Sequence, residues 1–229
     1  ILAAQEIKIF TTGYDKFEAL FADIKAAKQH IHLQYYAIES DRLGNQLADL
    51  LIQKVSEGVI VRILYDDVGS WTSRRSFWKR MRKAGVQVYP FMKVVIPYLS
   101  SRVNYRNHRK LAIIDGEIGY MGGMNIADRY YYGNEMGPWR DTHFRLTGGI
   151  VAELQTAFLI DWFLITRRVV HLRDYFPKRL TTGDAPLIPM QFFLGSPVGT
   201  WRSIEQAIHA VEQRLGRPAQ EREIADELQ

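Results

Sequence analysis

The polar residues of the segment at 107–125 have types and spacings that suit chemistry at a phosphate. This segment, NHRKLAIIDGEIGYMGGMN, carries His108, Lys110, Asp115 and Asn125 among small and apolar residues. Side chains two residues apart on a strand point to the same face, so His108 and Lys110 are predicted to lie side by side. Asp115 has the opposite parity, but it begins a turn, where parity no longer restricts it. The pattern therefore places a nucleophilic imidazole beside a cation.

The second half of the segment is predicted to return toward the first. Residues 115–117 (DGE) predict a tight turn between two short strands, so the chain brings Gly122, Gly123 and Asn125 back to the start of the hairpin. The two glycines allow the backbone to approach a bulky anion closely, and Asn125 adds an amide donor near a predicted helix start. The hairpin therefore predicts an anion site next to the imidazole.

These groups together suit attack on phosphorus through a covalent phosphohistidine. Lys110 and Asn125 would stabilise the equatorial oxygens of an in-line transition state, and the pattern requires no metal or other cofactor. Asp66 and Asp67 are interpreted as a strand-end turn rather than as metal ligands. The joint pattern H-x-K-x4-D-x6-G-G-x-N has a chance frequency on the order of 10⁻⁶ to 10⁻⁵ in a chain of this size. A functional origin is therefore favoured over accident.

Composition and charge limit the possible partners. The 229 residues are 47% hydrophobic and 24% charged, which is ordinary for a globular protein. The net charge of +5 and the pI near 9.3 suggest an anionic partner such as lipid head groups or nucleic acid, although an excess of Lys and Arg also serves solubility. The lack of cysteine excludes disulfides and thiolate metal sites. The sequence contains no apolar run of about 18 residues, the length that predicts a membrane-spanning helix. Since the chain begins at Ile1, we expect any membrane anchor to lie upstream.

Strand-like and helix-like segments alternate along the chain. The predicted strands are 7–10, 30–38, 59–65, 86–91, 111–114, 118–121 and 142–146, and the predicted helices are 17–24 with Asp15 as its cap, 43–56, 74–84 and 150–165. The near-continuous apolar run at 59–65 is typical of a strand covered on both faces. The alternation predicts an α/β fold in which helices flank both faces of a mixed β-sheet.

A weak internal repeat suggests that a second copy of the domain begins late in the chain. The segments FTTGYDKFEALFADI at 10–24 and FLGSPVGTWRSIEQAI at 193–208 both predict a strand, a glycine-containing loop and an amphipathic helix. We therefore predict a catalytic half-domain at 1–175 and a linker at 176–189. Residues 190–229 would then be the start of an incomplete second repeat with a divergent helical tail.

In the segment at 107–125 the sequence resembles the phospholipase D superfamily, whose signature is H-x-K-x4-D followed by G-[SG]-x-N. More narrowly, it looks like the first catalytic half of bacterial cardiolipin synthases. The segments that carry this likeness are IHLQYYAI, VRILYDDVGS, SRVNYRNHRK, YMGGMNIADRY and WRDTHFRL. The resemblance covers about residues 5–208 and implies a phospholipase D-like half-domain.

The resemblance also implies a role for each residue of the motif. His108 would be the nucleophile, Lys110 and Asn125 the phosphate binders, and Asp115 an organising carboxylate. Asp141, in WRDTH, matches the acidic residue that orients the nucleophilic imidazole. The candidate substrate-binding residues are Gly122, Gly123, Arg106 and Arg109. His143 shares strand parity with Asp141 and is expected to have a structural or substrate-edge role.

Basic and apolar residues before the motif predict contact with a phospholipid. Arg102, Arg106 and Arg109 surround the motif, and an apolar loop covers 94–99. A loop of this composition suits a head group and a membrane interface, although ordinary packing is the alternative. The resemblance implies phosphatidylglycerol as substrate and a peripheral position at the bacterial cell membrane. Lipid is favoured over nucleic acid as the partner.

The sequence contains a single H-x-K-x4-D, whereas the resemblance implies that a complete active site needs two. The second motif would come from another chain or from a missing C-terminal half, and the partial repeat favours the missing half. Three functions stay open. The first is a cardiolipin-synthase-like phosphatidyltransferase that is incomplete in this chain. The others are a single-motif phosphodiesterase or nuclease acting as a homodimer, and a non-catalytic remnant that binds anionic surfaces.

Overall fold

A computed structural model describes residues 2–91, 106–168, 170, 175–176, 187–190, 212–214 and 217. The chain divides into two compact units, Leu2–Phe192 and a second that joins Ile1 to Phe193–Gln229. Within the second unit, residues 212–214 are helical. All strands and helices named below belong to the first unit.

The strands and helices alternate through most of the first unit. The strands are β1 (Leu2–Ala4), β2 (Glu6–Thr12), β3 (His30–Tyr35), β4 (Ile60–Asp66), β5 (Gln87–Phe91), β6 (Lys110–Ile114), β7 (Ile118–Gly122), β8 (Arg140–Thr147) and β9 (Ile188–Met190). The helices are α1 (Gly13–Ala26), α2 (Arg42–Ser56), α3 (Arg75–Lys83), α4 (Asp128–Tyr132) and α5 (Ile150–Thr166).

A seven-stranded mixed sheet forms the centre of this unit. Its strand order is β2-β8-β7-β6-β3-β4-β5, and β1 pairs with β9 in a separate two-stranded sheet. The neighbours β3, β4 and β5 run parallel, whereas β6, β7, β8 and β2 pair antiparallel along the rest of the sheet. The carboxyl ends of β3 and β4 therefore meet the start of β6, the end of β7 and the start of β8 at one edge. Ligand sites in open α/β sheets lie at such an edge.

Helices cover both faces of the sheet, which confirms the predicted fold class. Helices α1 to α4 pack on one face, which we call the helix-rich face; α2 contributes Leu43, Leu47 and Leu51, spaced one helical turn apart. Among the described helices, α5 is the one that packs on the other face, the α5 face, through an apolar cluster that includes Leu111 and Ile113 of β6. Because β6 alternates between the two faces, Ala112 and Ile114 pack on the helix-rich side.

Most predicted boundaries lie within a few residues of the observed ones, with two informative differences. The predicted strand at 30–38 ends at Tyr35, because pairing with β4 and β6 stops there. The cap of α1 is Thr12 rather than Asp15: the Thr12 hydroxyl accepts the Asp15 N–H at 3.3 Å, and Asp15 lies in the first turn. No helix among the described residues is long and apolar enough to cross a membrane.

Several predictions fall where the structure gives no description. The apolar loop at 94–99, Arg102 and most of the predicted linker at 176–189 lie outside the described residues. The last three residues of the first unit to be described, Ile188–Met190, pair with β1. The predicted domain boundaries stay predictions.

Candidate active site

His108 and Lys110 meet at the sheet edge where β6 begins. His108 lies two residues before the strand and is exposed, whereas the Lys110 residue is only 3% exposed. The Lys110 ammonium lies 2.7 Å from Nδ1 of His108 and donates to the His108 carbonyl oxygen at 2.7 Å. The structure therefore brings the two together on the helix-rich face, as strand parity predicts.

Tyr36 is a further side chain at this edge, and it lies outside the H-x-K-x4-D motif. It follows β3, whose Tyr35 pairs with Lys110 in the sheet register. The Tyr36 ring centroid is 4.8 Å from that of His108, and the Lys110 ammonium lies 5.6 Å from the same ring. Its position in the sequence could have indicated it, because Tyr36 directly follows the buried strand β3, which is next to β6 in the sheet.

The surroundings lower the pKa of both members of the pair. Desolvation and the Lys110 charge lower the pKa of His108, with Asp66 acting weakly in the opposite direction. Burial lowers the pKa of Lys110 to about 8, although the Asp141 carboxylate opposes this shift. At neutral pH the imidazole is therefore neutral, the state that can attack, while Lys110 is mostly cationic.

The Asp141 carboxylate occupies space that Gly123 leaves open. A Cβ at position 123 would lie 2.1 Å from Asp141 Oδ1, a distance that real contacts do not reach. Oδ1 also accepts the Thr142 N–H at 2.7 Å. Among the described residues, Nδ1 of His108 is bonded by Lys110 and not by Asp141. Asp141 is thus close enough to act on the Lys110 charge, but it does not orient the imidazole directly in this state.

Position 122 also requires glycine because nearby atoms leave no room for a Cβ, whereas the sequence predicted glycine there for the approach of an anion. A Cβ there would lie 2.4 Å from the Thr142 carbonyl oxygen, 2.5 Å from Cα of His143 and 2.6 Å from its Nδ1, so both the backbone of β8 and the His143 imidazole approach the glycine closely. His143 is fully buried, and neither ring nitrogen has a hydrogen-bond partner among the described groups. Burial, then the charges of Lys16 and Lys110, hold its pKa well below the usual value. Both glycines were predicted to admit an anion, and in the structure Gly122 admits the backbone and imidazole of His143 while Gly123 admits the Asp141 carboxylate.

The backbone and amide donors predicted to bind phosphate are largely engaged within the protein. The Gly123 N–H donates to the Thr142 carbonyl at 2.9 Å. Asn125 is 5% exposed; its Oδ1 accepts the Ala37 N–H at 2.9 Å and its Nδ2 donates to the Tyr130 hydroxyl at 2.9 Å. An amide nitrogen carries two hydrogens, so Asn125 retains one N–H for a ligand.

Asp115 lies away from this group, which corrects its predicted place in the site. It follows β6 at the opposite end of the strand, roughly 16 Å from Lys110 at about 3.3 Å per residue. Its carboxylate accepts the backbone N–H groups of Lys28, Gln29 and His30 at 2.8 to 2.9 Å. Asp115 is therefore an organising carboxylate of the fold, because it joins the hairpin turn to the start of β3.

The two arginines predicted to bind substrate have different surroundings. Arg106 faces Asp66 at 3.7 Å, and Asp66 also accepts the Asn107 N–H at 3.3 Å. Arg109 forms an ion pair with Asp161 of α5, on the face opposite to Lys110. Strand parity explains this difference, since Arg109 alternates with His108 and Lys110. Arg106 therefore stays at the candidate site, whereas Arg109 lies behind it.

Comparison with known proteins identifies the family. The sequence model described as "Cardiolipin synthase, PLD-like domain" matches residues 20–162. The chain belongs to this family. The cardiolipin synthase of Oceanobacillus iheyensis is 45% identical over 202 residues, covering 87% of this chain and 41% of the relative. Cardiolipin synthase 2 of Bacillus cereus is 42% identical over 207 residues, covering 90% of this chain and 40% of the relative. The PLD-like domain described here thus spans about two fifths of the length of these relatives.

Solved structures share the fold of this PLD-like domain at low sequence identity. NucT from Helicobacter pylori has a TM-score of 0.55 at 16% identity, covering 69% of this chain and 95% of NucT. A phosphatidylserine synthase from Haemophilus influenzae has a TM-score of 0.56 at 15% identity, covering 76% of this chain and 43% of the synthase. The resemblance inferred from the motif is confirmed at the level of family and fold.

Proposed function

We propose that this chain is the first catalytic half of a cardiolipin-synthase-type phosphatidyltransferase and that His108 is its nucleophile. The observation that carries the proposal is the pair at the start of β6: an exposed imidazole with a lowered pKa, 2.7 Å from a buried ammonium. Its substrate would be phosphatidylglycerol. An anionic lipid suits a chain with a net charge of +5, and we infer a position at the bacterial membrane surface.

The reaction would proceed through a phosphohistidine. The neutral imidazole forms a bond to phosphorus while the bond from phosphorus to the head-group glycerol oxygen breaks, and this oxygen takes a proton from an acid. A hydroxyl of a second phosphatidylglycerol then attacks phosphorus and gives its proton back to that group, as the phosphorus–nitrogen bond breaks. Lys110 and the remaining N–H of Asn125 would stabilise the phosphoryl oxygens.

The geometry of His108 suggests how substrate would prepare the nucleophile. While Lys110 bonds Nδ1, the proton of the neutral ring lies on Nε2, which then has no lone pair for attack. An arriving phosphate would draw the ammonium away from Nδ1. The ring would then lose its Nε2 proton to solvent and gain one on Nδ1, which donates a hydrogen bond to Asp141, so that Nε2 becomes the attacking atom. The carboxylate role foreseen for Asp141 would begin at that step.

The acid for the leaving group would come from a second histidine motif outside this chain. The sequence holds one H-x-K-x4-D, and it spans about two fifths of the relatives' length. We therefore propose that the remaining part of a longer protein, or a second copy of this chain, completes the site. In the isolated chain the leaving glycerol oxygen would take its proton from water instead, so the first step would be slower but would still leave the phosphoryl group on His108, and the phosphohistidine is the product to seek.

The test is to trap that adduct. The purified chain is incubated with vesicles of phosphatidylglycerol labelled with ³²P, and in parallel with ³²P-labelled DNA. We expect a base-stable, acid-labile label from the lipid that is absent in His108→Ala. Glu117→Gln, at the far turn of the same hairpin, is the matched control and should label normally. Label from DNA alone would favour the phosphodiesterase alternative, and label that persists in His108→Ala would refute the nucleophile assignment.

A further inference from the structure

The residues on both sides of His108 are held by one carboxylate on the opposite side of the sheet. Asp161 lies in α5 and is only 6% exposed. Its Oδ2 accepts Nδ2 of Asn107 at 2.9 Å and pairs with the Arg109 guanidinium. The same oxygen accepts Nε2 of Gln34 at 2.6 Å, which ties it to β3. Asn107 and Arg109 are the two chain neighbours of His108.

His108 precedes the regular strand, so sheet pairing does not set its direction. The ladder between β6 and β3 begins at Lys110. The Asn107 side chain instead spans the histidine locally, because its Oδ1 accepts the Arg109 N–H at 3.1 Å. The Asn107 N–H donates to Asp66 at the end of β4 at 3.3 Å. The backbone around His108 is therefore fixed by side chains.

Fixing both neighbours on one face directs the residue between them to the other. The bond from the Arg109 N–H to Asn107 Oδ1 closes a turn over His108, and with Asn107 and Arg109 both bonded toward α5 the His108 ring lies on the helix-rich side, beside Lys110. There its ring meets Tyr36, at a centroid distance of 4.8 Å. Catalysis by a positioned nucleophile is sensitive to displacement, and a shift of about 1 Å can cost about 10²-fold in rate.

We propose that Asp161 is a positioning residue for the nucleophile: it holds Asn107 and Arg109 and so directs His108 toward the phosphate. The catalytic part of this proposal rests on the proposed function. Asp161 touches neither His108 nor Tyr36 among the described contacts, so it acts entirely through the residues that flank the histidine.

The first test is the isosteric variant Asp161→Asn, read by NMR on labelled histidine and tyrosine side chains. The amide cannot pair with the Arg109 charge and brings donors toward the donors of Asn107 and Gln34. We expect the nuclear Overhauser effects between the His108 and Tyr36 rings to weaken strongly while the protein stays folded. Glu153→Gln makes the same change of group on the same helix and should leave these signals unchanged. Unchanged ring contacts in Asp161→Asn would overturn the proposal.

The second test is the rate of phosphohistidine formation in a single turnover. We expect about a 10²-fold loss of rate in Asp161→Asn with little change in the lipid concentration needed for half-maximal rate. Asn107→Ala removes one arm only; it should lose part of the rate and should add little to Asp161→Asn. Additive losses would contradict action through Asn107. If the wild-type chain forms no adduct, the proposed function fails, but the NMR result still decides whether Asp161 positions His108.

Should Asp161→Asn fail to fold, Asn107→Ala provides the NMR answer. It removes the bridge from residue 107 to Asp161 but leaves the ion pair between Asp161 and Arg109 intact. No buried charge is left unpaired, and an unpaired buried charge is what makes the loss of one ion-pair partner costly. Weakened contacts between the His108 and Tyr36 rings in this variant would support the proposal, and unchanged contacts would overturn it.

Discussion

The two faces of the central sheet both carry histidine, in opposite settings. On the helix-rich face, His108 is exposed and its ring partner is an ammonium. On the α5 face, His30 and His32 are buried, and Gln155 lies between them. The Gln155 amide bonds His30 Nε2 at 3.0 Å and His32 Nδ1 at 2.9 Å, and Arg62 lies 3.1 Å from the other His32 nitrogen. The helix-rich face also buries His143. It nevertheless presents one imidazole at its edge, whereas the α5 face encloses His30 and His32 in a network.

This difference teaches where a histidine that is paired with a second residue two positions away can perform chemistry. Both pairs have the same spacing, His30-x-His32 and His108-x-Lys110. The first lies inside β3, in the middle of a sheet that is covered on both sides, and burial lowers the pKa of both its imidazoles. The second begins at a strand end, where one member reaches the open edge and the other remains buried. Position on the strand, rather than spacing, separates a candidate nucleophile from a structural network.

The largest effect that would sharpen this comparison is expected from Lys110→Met. The variant keeps an unbranched side chain but removes the charge from the helix-rich face, so the phosphoryl oxygens lose a cation and His108 Nδ1 loses its partner. We expect phosphohistidine formation to fall about 10³-fold, the upper range for removing one transition-state donor. Single-turnover labelling measures the rate. Labelling at the wild-type rate would mean that the Lys110 charge does not assist the attack by His108.

The reciprocal change on the α5 face is His32→Ala. It removes two hydrogen bonds and the stacking of His32 on Phe158, whose ring centroid is 4.5 Å away. We expect a loss of about 3 kcal/mol in the free energy of unfolding, since buried partners are left unsatisfied and a cavity forms. Chemical denaturation measures this loss.

His108→Ala is the matched variant for that experiment. It should change the free energy of unfolding by less than about 0.5 kcal/mol, as is usual for exposed positions. His32→Ala, where folded, should label at close to the normal rate. Stability losses of equal size in the two variants would break the distinction between the faces.

Much of the fold and the pairing of His108 with Lys110 were predictable because both follow from local periodicity. Alternation of strands and helices gave the layers, and the two-residue spacing at the start of β6 placed the two side chains together. Arg109, which was predicted to bind substrate, instead pairs with Asp161 on the α5 face. The layers and the pairing of His108 with Lys110 depend on neighbours in sequence, which pattern reasoning can use.

Contacts between distant segments were not predictable in the same way. Asp115 bonds backbone groups of 28–30, and Asp161 reaches residues near 108 from α5. Nothing local identifies such partners, since each depends on how strands and helices pack. The glycines show the same limit. Their need for space was recognisable, but the sheet register was required to show that Gly122 admits the backbone and imidazole of β8 and that Gly123 admits Asp141.

A smaller effect is expected from Gly123→Ala, which tests the contact with Asp141. The new Cβ would lie 2.1 Å from Oδ1, so the carboxylate must move away from Lys110. Because Asp141 raises the pKa of Lys110, its displacement should lower that pKa below about 8. We expect about a tenfold loss of labelling rate, the lower range for a misplaced group.

Asp141→Ala is the background that isolates this effect. With the carboxylate absent, adding the methyl group at position 123 should cost little more. If Gly123→Ala is equally harmful in both backgrounds, the glycine serves another purpose, such as the anion approach predicted from the sequence.

The smallest effect is a decline of labelling above neutral pH. Lys110 is charged below its pKa of about 8 and neutral above it, so phosphate binding by the ammonium should be lost as pH rises, by about twofold at pH 8.

Folding stability should move in the opposite direction. Since the folded pKa lies below the unfolded value, the unfolded chain binds more protons between about pH 8 and 10, and stability rises there. Lys16, whose pKa is also lowered by burial, adds to this rise but not to the loss of labelling. Lys110→Arg, which keeps its charge, should remove the decline of labelling above neutral pH. A decline that persists in this variant would assign it to another group.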